Sequence, residues 1–228
     1  MTTAQQAPGL QATGEELVRR ASEVNLEMNA AVILCGSPGC LGHLNTSVHE
    51  GRNMPGDIPD GAIERLAGLA AETGYRVLFD WWTSIEVTLG QTITLTNEQT
   101  DGNGEVRDIH VKPGMSPAST LYILGHEITH AQSGDRDSFI TSETSDTERR
   151  EIGKRHIRYE VRSTLASLIM LTVLGIPSRE AEISQLAAMA QADFGVFEEV
   201  LPEAVRRARE LLAALQPDEA AWQEQQLA

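Results

Sequence analysis

The chain has 228 residues with an ordinary apolar content of 41%, which is enough for one domain with a sizeable core, or one domain with a small appendage. Its formal charge of −15 argues against general affinity for nucleic-acid backbones, which needs clustered Lys and Arg, and no apolar run approaches a membrane span. Two cysteines are too few for a disulfide scaffold, and the first residues lack the basic start and apolar stretch of a signal peptide, so a soluble, cytoplasmic protein is expected.

Residues 1–12 read as a flexible tail. From Gly14 to about Met28, the apolar residues Leu17, Ala21, Val24 and Met28 recur three or four apart, which predicts an amphipathic helix. The next stretch is rich in Gly, Pro, Ser and Asn and reads as a loop carrying Cys35, Cys40, His43 and His49. Their spacing, C-x4-C-x2-H-x5-H, is near structural zinc patterns without matching the common ones. Free thiols and surface histidines are the preferred reading, and a second zinc site the lesser one.

Pro59 to Glu72 forms a second helix, with Ile63, Leu66, Leu69 and Ala70 on one side. Arg76–Trp82 and Ile85–Thr96 are rich in Val, Ile, Thr and aromatic residues and read as strands. The turn Asp101–Gly104, DGNG, then predicts a hairpin whose second strand is Val106–Val111. His110 is read as an ordinary side chain of that strand. The strand itself is expected at a sheet edge, where an extended peptide can add to it.

Thr120–Ala131, TLYILGHEITHA, carries the chemistry. His126 and His130 stand four residues apart, so on a helix both imidazoles leave one face a turn apart and can converge on one ion. With Glu127 between them the motif is H-E-x-x-H, in which two neutral imidazoles hold Zn2+ and the carboxylate handles the proton of water. Ser116 before Pro117 reads as an N-cap with proline at the first helical position, and Gly134 supplies a stop. Leu121, Leu124, Ile128 and Ala131 form a stripe away from the histidines, so one face should meet a core and the other a cleft.

Ser145 with Glu148 three residues on is a capping box that opens a long helix to about Leu174. A further helix from Ser178 to about Ala192 and a last one from about Phe197 to Leu215 follow. A catalytic zinc requires a third protein ligand from a separate element, and the long helix offers His156 and Glu160 on one face. Glu160 is preferred, because Ser163, Thr164 and Ser167 are small enough to let this helix approach the metal helix closely. His156 would then border the cleft, where it or Tyr159 could stabilise an oxyanion. The basic run Arg149–Arg158 reads as a salt-bridged face rather than a nucleic-acid site.

DIHVKPGMSPASTLYILGHEITH, followed downstream by YEVRSTLASLIMLTVLGI, resembles the zincin-like metallopeptidases of the ImmA/IrrE type. Closest is the version at the C-terminus of ArdC-type antirestriction proteins. The similarity covers about residues 105–215, and the Glu of the family's second motif falls on Glu160; the usual Ala is Ser163 here and a usual Phe is Ala166. It implies an α+β fold of zincin type, with a small, mainly antiparallel sheet packed on the H-E-x-x-H helix and a helical C-terminal half. It also implies cleavage of a regulatory protein in a phage or mobile-element response, or a defence-related activity.

The expected organisation is a tail at 1–12, an N-terminal helix with the Cys/His loop at 13–55, a zincin-like domain at 56–217 and a tail at 218–228. The expected activity is zinc metallopeptidase, with His126, His130 and Glu160 on the metal and Glu127 as general base. The protein or peptide substrate and the oligomeric state are left open. The alternative is a zinc-containing, antirestriction-like binding module without proteolytic turnover.

Overall fold

The structure, a computed structural model, describes residues 12–20, 54–80, 90–95, 104–134, 145–177, 186 and 195–216. The expected tails, except Ala12, which is helical, and the Cys35, Cys40, His43 and His49 loop lie outside these residues. Five helices are described: α1 (12–20), α2 (Ala62–Glu72), α3 (Pro117–Ser133), α4 (Asp146–Val173) and α5 (Val196–Leu215). Three strands accompany them: β1 (Arg76–Phe79), β2 (Gly90–Leu95) and β3 (Val106–Val111). The fold is α+β, and most of the expected helix at Ser178–Ala192 falls outside the described residues, although Leu186 is helical and buried.

The sheet is mixed, in the order β1-β3-β2. β2 and β3 pair antiparallel, with Gly90 opposite Val111 and Leu95 opposite Val106, as the hairpin pattern predicts. β1, however, runs parallel to β3, with Arg76 opposite Asp108 and Phe79 opposite Val111. The expectation of a mainly antiparallel sheet therefore holds for one of its two pairings. Consecutive strands joined by a hairpin must be antiparallel, but nothing local fixes the direction of β1, which pairs with β3 and not with β2, the next strand in sequence. The same order corrects a second expectation: β3 is the central strand, hydrogen-bonded on both sides, so it has no edge to offer a substrate.

Alternation along β3 divides its faces. Ile109 and Val111 are fully buried and join the core beneath the helices. On the other face Asp108 is held by both guanidinium nitrogens of Arg76, at 2.8 and 2.9 Å, and His110 Nδ1 lies 2.7 Å from Asp80 Oδ1. These pairs lock β1 to β3 in register from the side chains as well as the backbone.

The H-E-x-x-H helix α3 lies at the centre. α2, α4, β2 and β3 all pack against it, and nearly every residue from Ala118 to Ala131 is buried. This differs from the amphipathic helix expected from the stripe. The stripe residues Leu121, Leu124 and Ile128 are fully buried, but so are His126 and Glu127 nearly, because a second helix covers the ligand face. Each fully buried Leu or Ile contributes roughly 1.5–3 kcal/mol, well above the ~0.2–0.5 kcal/mol of an exposed i,i+4 ion pair. Core packing therefore decides where the helices sit.

Both ends of α3 are fastened. Ser116 caps the start: its Oγ accepts from the Ser119 backbone N–H at 3.2 Å and donates to the Met54 carbonyl at 2.9 Å. Ser119 Oγ in turn accepts from the Met54 N–H at 2.8 Å. At the far end Gly134 takes a left-handed conformation with φ 66°, which a Cβ would strain, and so stops the helix. α4 starts with the expected capping box: Glu148 N–H donates to Ser145 Oγ, and Glu148 Oε2 accepts from the Ser145 N–H.

Ser116→Ala removes an N-cap and the bond to Met54 together. It should lower unfolding free energy by about 1–2 kcal/mol, measured by urea denaturation; a change below about 0.3 kcal/mol would show that the cap carries no weight.

Candidate metal centre

His126 and His130 leave α3 one turn apart and turn their Nε2 atoms toward each other, 3.0 Å apart. Their rings meet edge to face, with centroids separated by 4.7 Å. Glu160 descends from α4 between them. Its Oε2 is 3.4 Å from His126 Nε2 and its Oε1 is 3.4 Å from His130 Nε2. Among the described residues these three alone form a group of His, Cys, Asp or Glu close enough to share one ion.

The geometry fits a tetrahedral cation. Bonds of about 2.0–2.1 Å place the ligands of such an ion about 3.3–3.4 Å apart, and the three separations here are 3.0, 3.4 and 3.4 Å. The donor chemistry narrows the choice. Two imidazole nitrogens with one carboxylate suit zinc, whereas calcium and magnesium prefer oxygen throughout. Three protein ligands on a tetrahedral ion leave one position for water or substrate.

Burial alone would raise the pKa of Glu160, but the hydrogen bonds and charges of His126 and His130 outweigh it and hold the carboxyl well below its ordinary value. The group is therefore an anion at neutral pH, ready to act as a ligand. On the opposite side of the His126 ring, Nδ1 faces Thr164 Oγ1 at 3.4 Å, a long hydrogen bond that favours the tautomer with Nε2 free to coordinate. Thr164 stands four residues after Glu160, so one face of α4 supplies both a candidate ligand and the group that orients a second candidate.

What lets α4 come so close is the absence of bulk. Ser163, Thr164 and Ser167 are completely buried on α4, as their size leads one to expect. Opposite them lies Gly125, the residue before His126. A Cβ there would stand 3.0 Å from Met170 Cε and 3.2 Å from Ser167 Oγ, closer than most real contacts. Neither the role of Gly125 nor that of Thr164 follows from H-E-x-x-H spacing, although a glycine inside a helix is itself a signal of close approach.

The remaining residues expected at the site are placed differently. Glu127 is buried beside His126 on α3. His156 Nε2 is 3.9 Å from Glu160 Oε1, with its side chain 59% exposed, so it stands at the rim. The ring of Tyr159 lies under the guanidinium of Arg162, 5.3 Å from centroid to Cζ. The basic face of α4 is at least partly neutralised: Lys154 pairs with Glu151, and Arg158 with Glu199 of α5. The side chains of Arg149 and Arg150, at the start of that face, lie outside the described residues.

Comparison of the chain with family models, with curated proteins and with solved structures finds no match in any of the three.

Two outcomes test this geometry. Gly125→Val overpacks the α3–α4 contact and should cost about 1–3 kcal/mol while weakening zinc binding, whereas Gly125→Ala needs only the Met170 tip and the Ser167 hydroxyl to give by a few tenths of an ångström and should cost less; calorimetry and chelator competition measure both. In the metal-free protein the depressed pKa of Glu160 stabilises the fold above the ordinary value of 4.5, and that contribution is lost as pH falls through the lower folded value. Urea stability of the wild type should therefore drop more steeply below about pH 4.5 than that of Glu160→Gln. Parallel curves would remove the ion-pairing account.

Proposed function

We propose that the chain is a zinc-dependent hydrolase, most specifically an endopeptidase of the zincin kind, with the protein substrate of a regulatory or phage-related system that its resemblance to ImmA/IrrE-type enzymes implies. The convergence of His126, His130 and Glu160 beside Glu127 carries this reading. It supplies three ligands, an open fourth position and a carboxylate that is not a ligand, which together are what hydrolysis of an amide requires.

His126, His130 and Glu160 would hold the zinc. When bound there, zinc supplies Lewis acidity that polarises a peptide carbonyl and brings the pKa of water toward neutrality. Glu127 accepts the proton that water loses on attacking the carbonyl carbon, then passes it to the departing amine nitrogen, so the C–N bond breaks without a net change in the enzyme's protonation. Thr164 holds the His126 ring so that Nε2 faces the site. His156, exposed at the rim, is the side chain favoured to donate to the developing oxyanion; Tyr159, engaged by Arg162, is the weaker candidate.

An extended substrate needs an edge, and β3 has none. Among the described residues β2 is an edge strand of the sheet and packs against α3. It is therefore the strand to which a peptide would add, backbone to backbone, alongside the ligands. Among the described residues no helix is long and apolar enough to cross a membrane, which accords with a substrate met in water.

Metal analysis and peptide hydrolysis together decide the matter. Wild type should carry one zinc per chain, lost in His126→Ala and in Glu160→Ala. Glu127→Gln should keep the zinc and lose turnover of an unstructured protein substrate by about 10²–10⁴-fold. Zinc retained in all variants without hydrolysis by the wild type would instead favour a binding module whose metal is elsewhere.

A further inference from the structure

The sequence places an arginine where α5 should be apolar. Val200, Ala204, Leu211 and Leu215 form the buried stripe of that helix, and Arg207 falls in the same register, only 9% exposed. Its Nη2 donates to the Gln132 carbonyl in the last turn of α3 at 2.9 Å. Its Nε donates to Glu203 at 3.1 Å and its Nη1 to Glu210 at 2.8 Å. Both carboxylates also pair with Arg206, so the four charges balance.

This arrangement answers a need specific to the metal helix. The last carbonyls of a helix have no partner within it. In α3 the Gly134 N–H serves the carbonyls of Ala131 and His130, and Gln132 is served by Arg207. A positive charge at a helix C-terminus is also favoured by the backbone dipoles. Gln132 is two residues beyond His130, so what holds its carbonyl holds the turn that carries the second imidazole.

α5 is joined to the other ligand helix as well. It packs along α4, where Arg158 donates to Glu199 at 2.9 and 3.1 Å. Against α3, Leu211 lies over Gly125, with its Cδ1 3.5 Å from where a Cβ would stand. One helix therefore touches both elements that must stay in register for His130 and Glu160 to meet.

Resting on the metal-centre reading, we propose that Arg207 is a positioning residue for the zinc site: it fixes the final turn of α3 against α5, and through it the placement of His130 relative to Glu160. Arg207→Met keeps the bulk of the stem and leaves Glu203 and Glu210 paired with Arg206. Its main effect is therefore to strip the Gln132 carbonyl of its donor. Arg207→Lys can restore one charged donor but not the fork.

The test measures zinc affinity by chelator competition and the visible absorption of the cobalt(II)-loaded protein, at a temperature where every variant is folded. Leu215→Ala, which removes buried bulk from the end of the same helix, serves as the control for general loss of stability. Arg207→Met should weaken zinc binding by about tenfold or more and alter the cobalt spectrum, Arg207→Lys should recover part of the affinity, and Leu215→Ala should leave both readouts near wild type despite a lower Tm. Unchanged affinity in Arg207→Met, or an equal loss in Leu215→Ala, overturns the proposal. If Arg207→Met does not fold, Arg207→Lys decides: intermediate affinity supports the proposal and wild-type affinity overturns it. A wild type without zinc removes the metal centre itself, and this inference with it.

Discussion

The closeness of two helices is the constraint on which the rest depends. Three donor atoms can converge within bonding range of one ion only if α4 packs closely against α3. Gly125 on one side and Ser163, Thr164 and Ser167 on the other make that approach possible. Small residues give up apolar area that a Leu or Phe would bury, so this seam is sustained by the large side chains around it. Leu121, Leu124 and Ile128 of α3, and Leu165, Leu168 and Ile169 of α4, are all fully buried, and their burial presses the two helices together.

Within that seam, Glu160, His126, His130 and Thr164 meet one another, while the buried hydroxyls of Ser163 and Ser167 make no hydrogen bond and serve by their small size. Glu160 would be costly as a lone buried anion; the two imidazoles make it favourable. His126 meets Glu160 and His130 through Nε2 and Thr164 through Nδ1. The cluster thus has the directional order of a coordination sphere before any ion is considered. Such preorganisation reduces the rearrangement that binding demands.

The ends of α3 are treated with equal care, by chain segments remote in sequence. Met54 is tied to the N-terminal turn through Ser116 and Ser119, and Arg207 to the C-terminal turn through Gln132. A helix held at both ends and enclosed along its sides has little freedom to rotate or slide. That rigidity suits a helix that must present two imidazoles in a fixed relation. The sheet contributes as well: β3 fills its middle, and among the described residues β2 is the edge that packs against the helix.

Local chemistry made several features readable from the residues alone. The H-E-x-x-H spacing, the Ser116-Pro117 start, the Gly134 stop, the Ser145/Glu148 capping box and the antiparallel pairing of β2 with β3 all depend on residues close to one another in sequence. Each therefore acts in any context that permits helix or hairpin. Glu160 was accessible too, because helical periodicity and the small residues after it limited the choice. Other features depend on contacts across long separations, and those the tertiary structure alone decided. They include the parallel docking of β1, the central place of β3, the burial of α3 on its ligand face and the reach of Arg207 to Gln132. Direction, sheet order and end-to-end anchoring are set by which distant surfaces exclude water together, and no local pattern encodes that pairing.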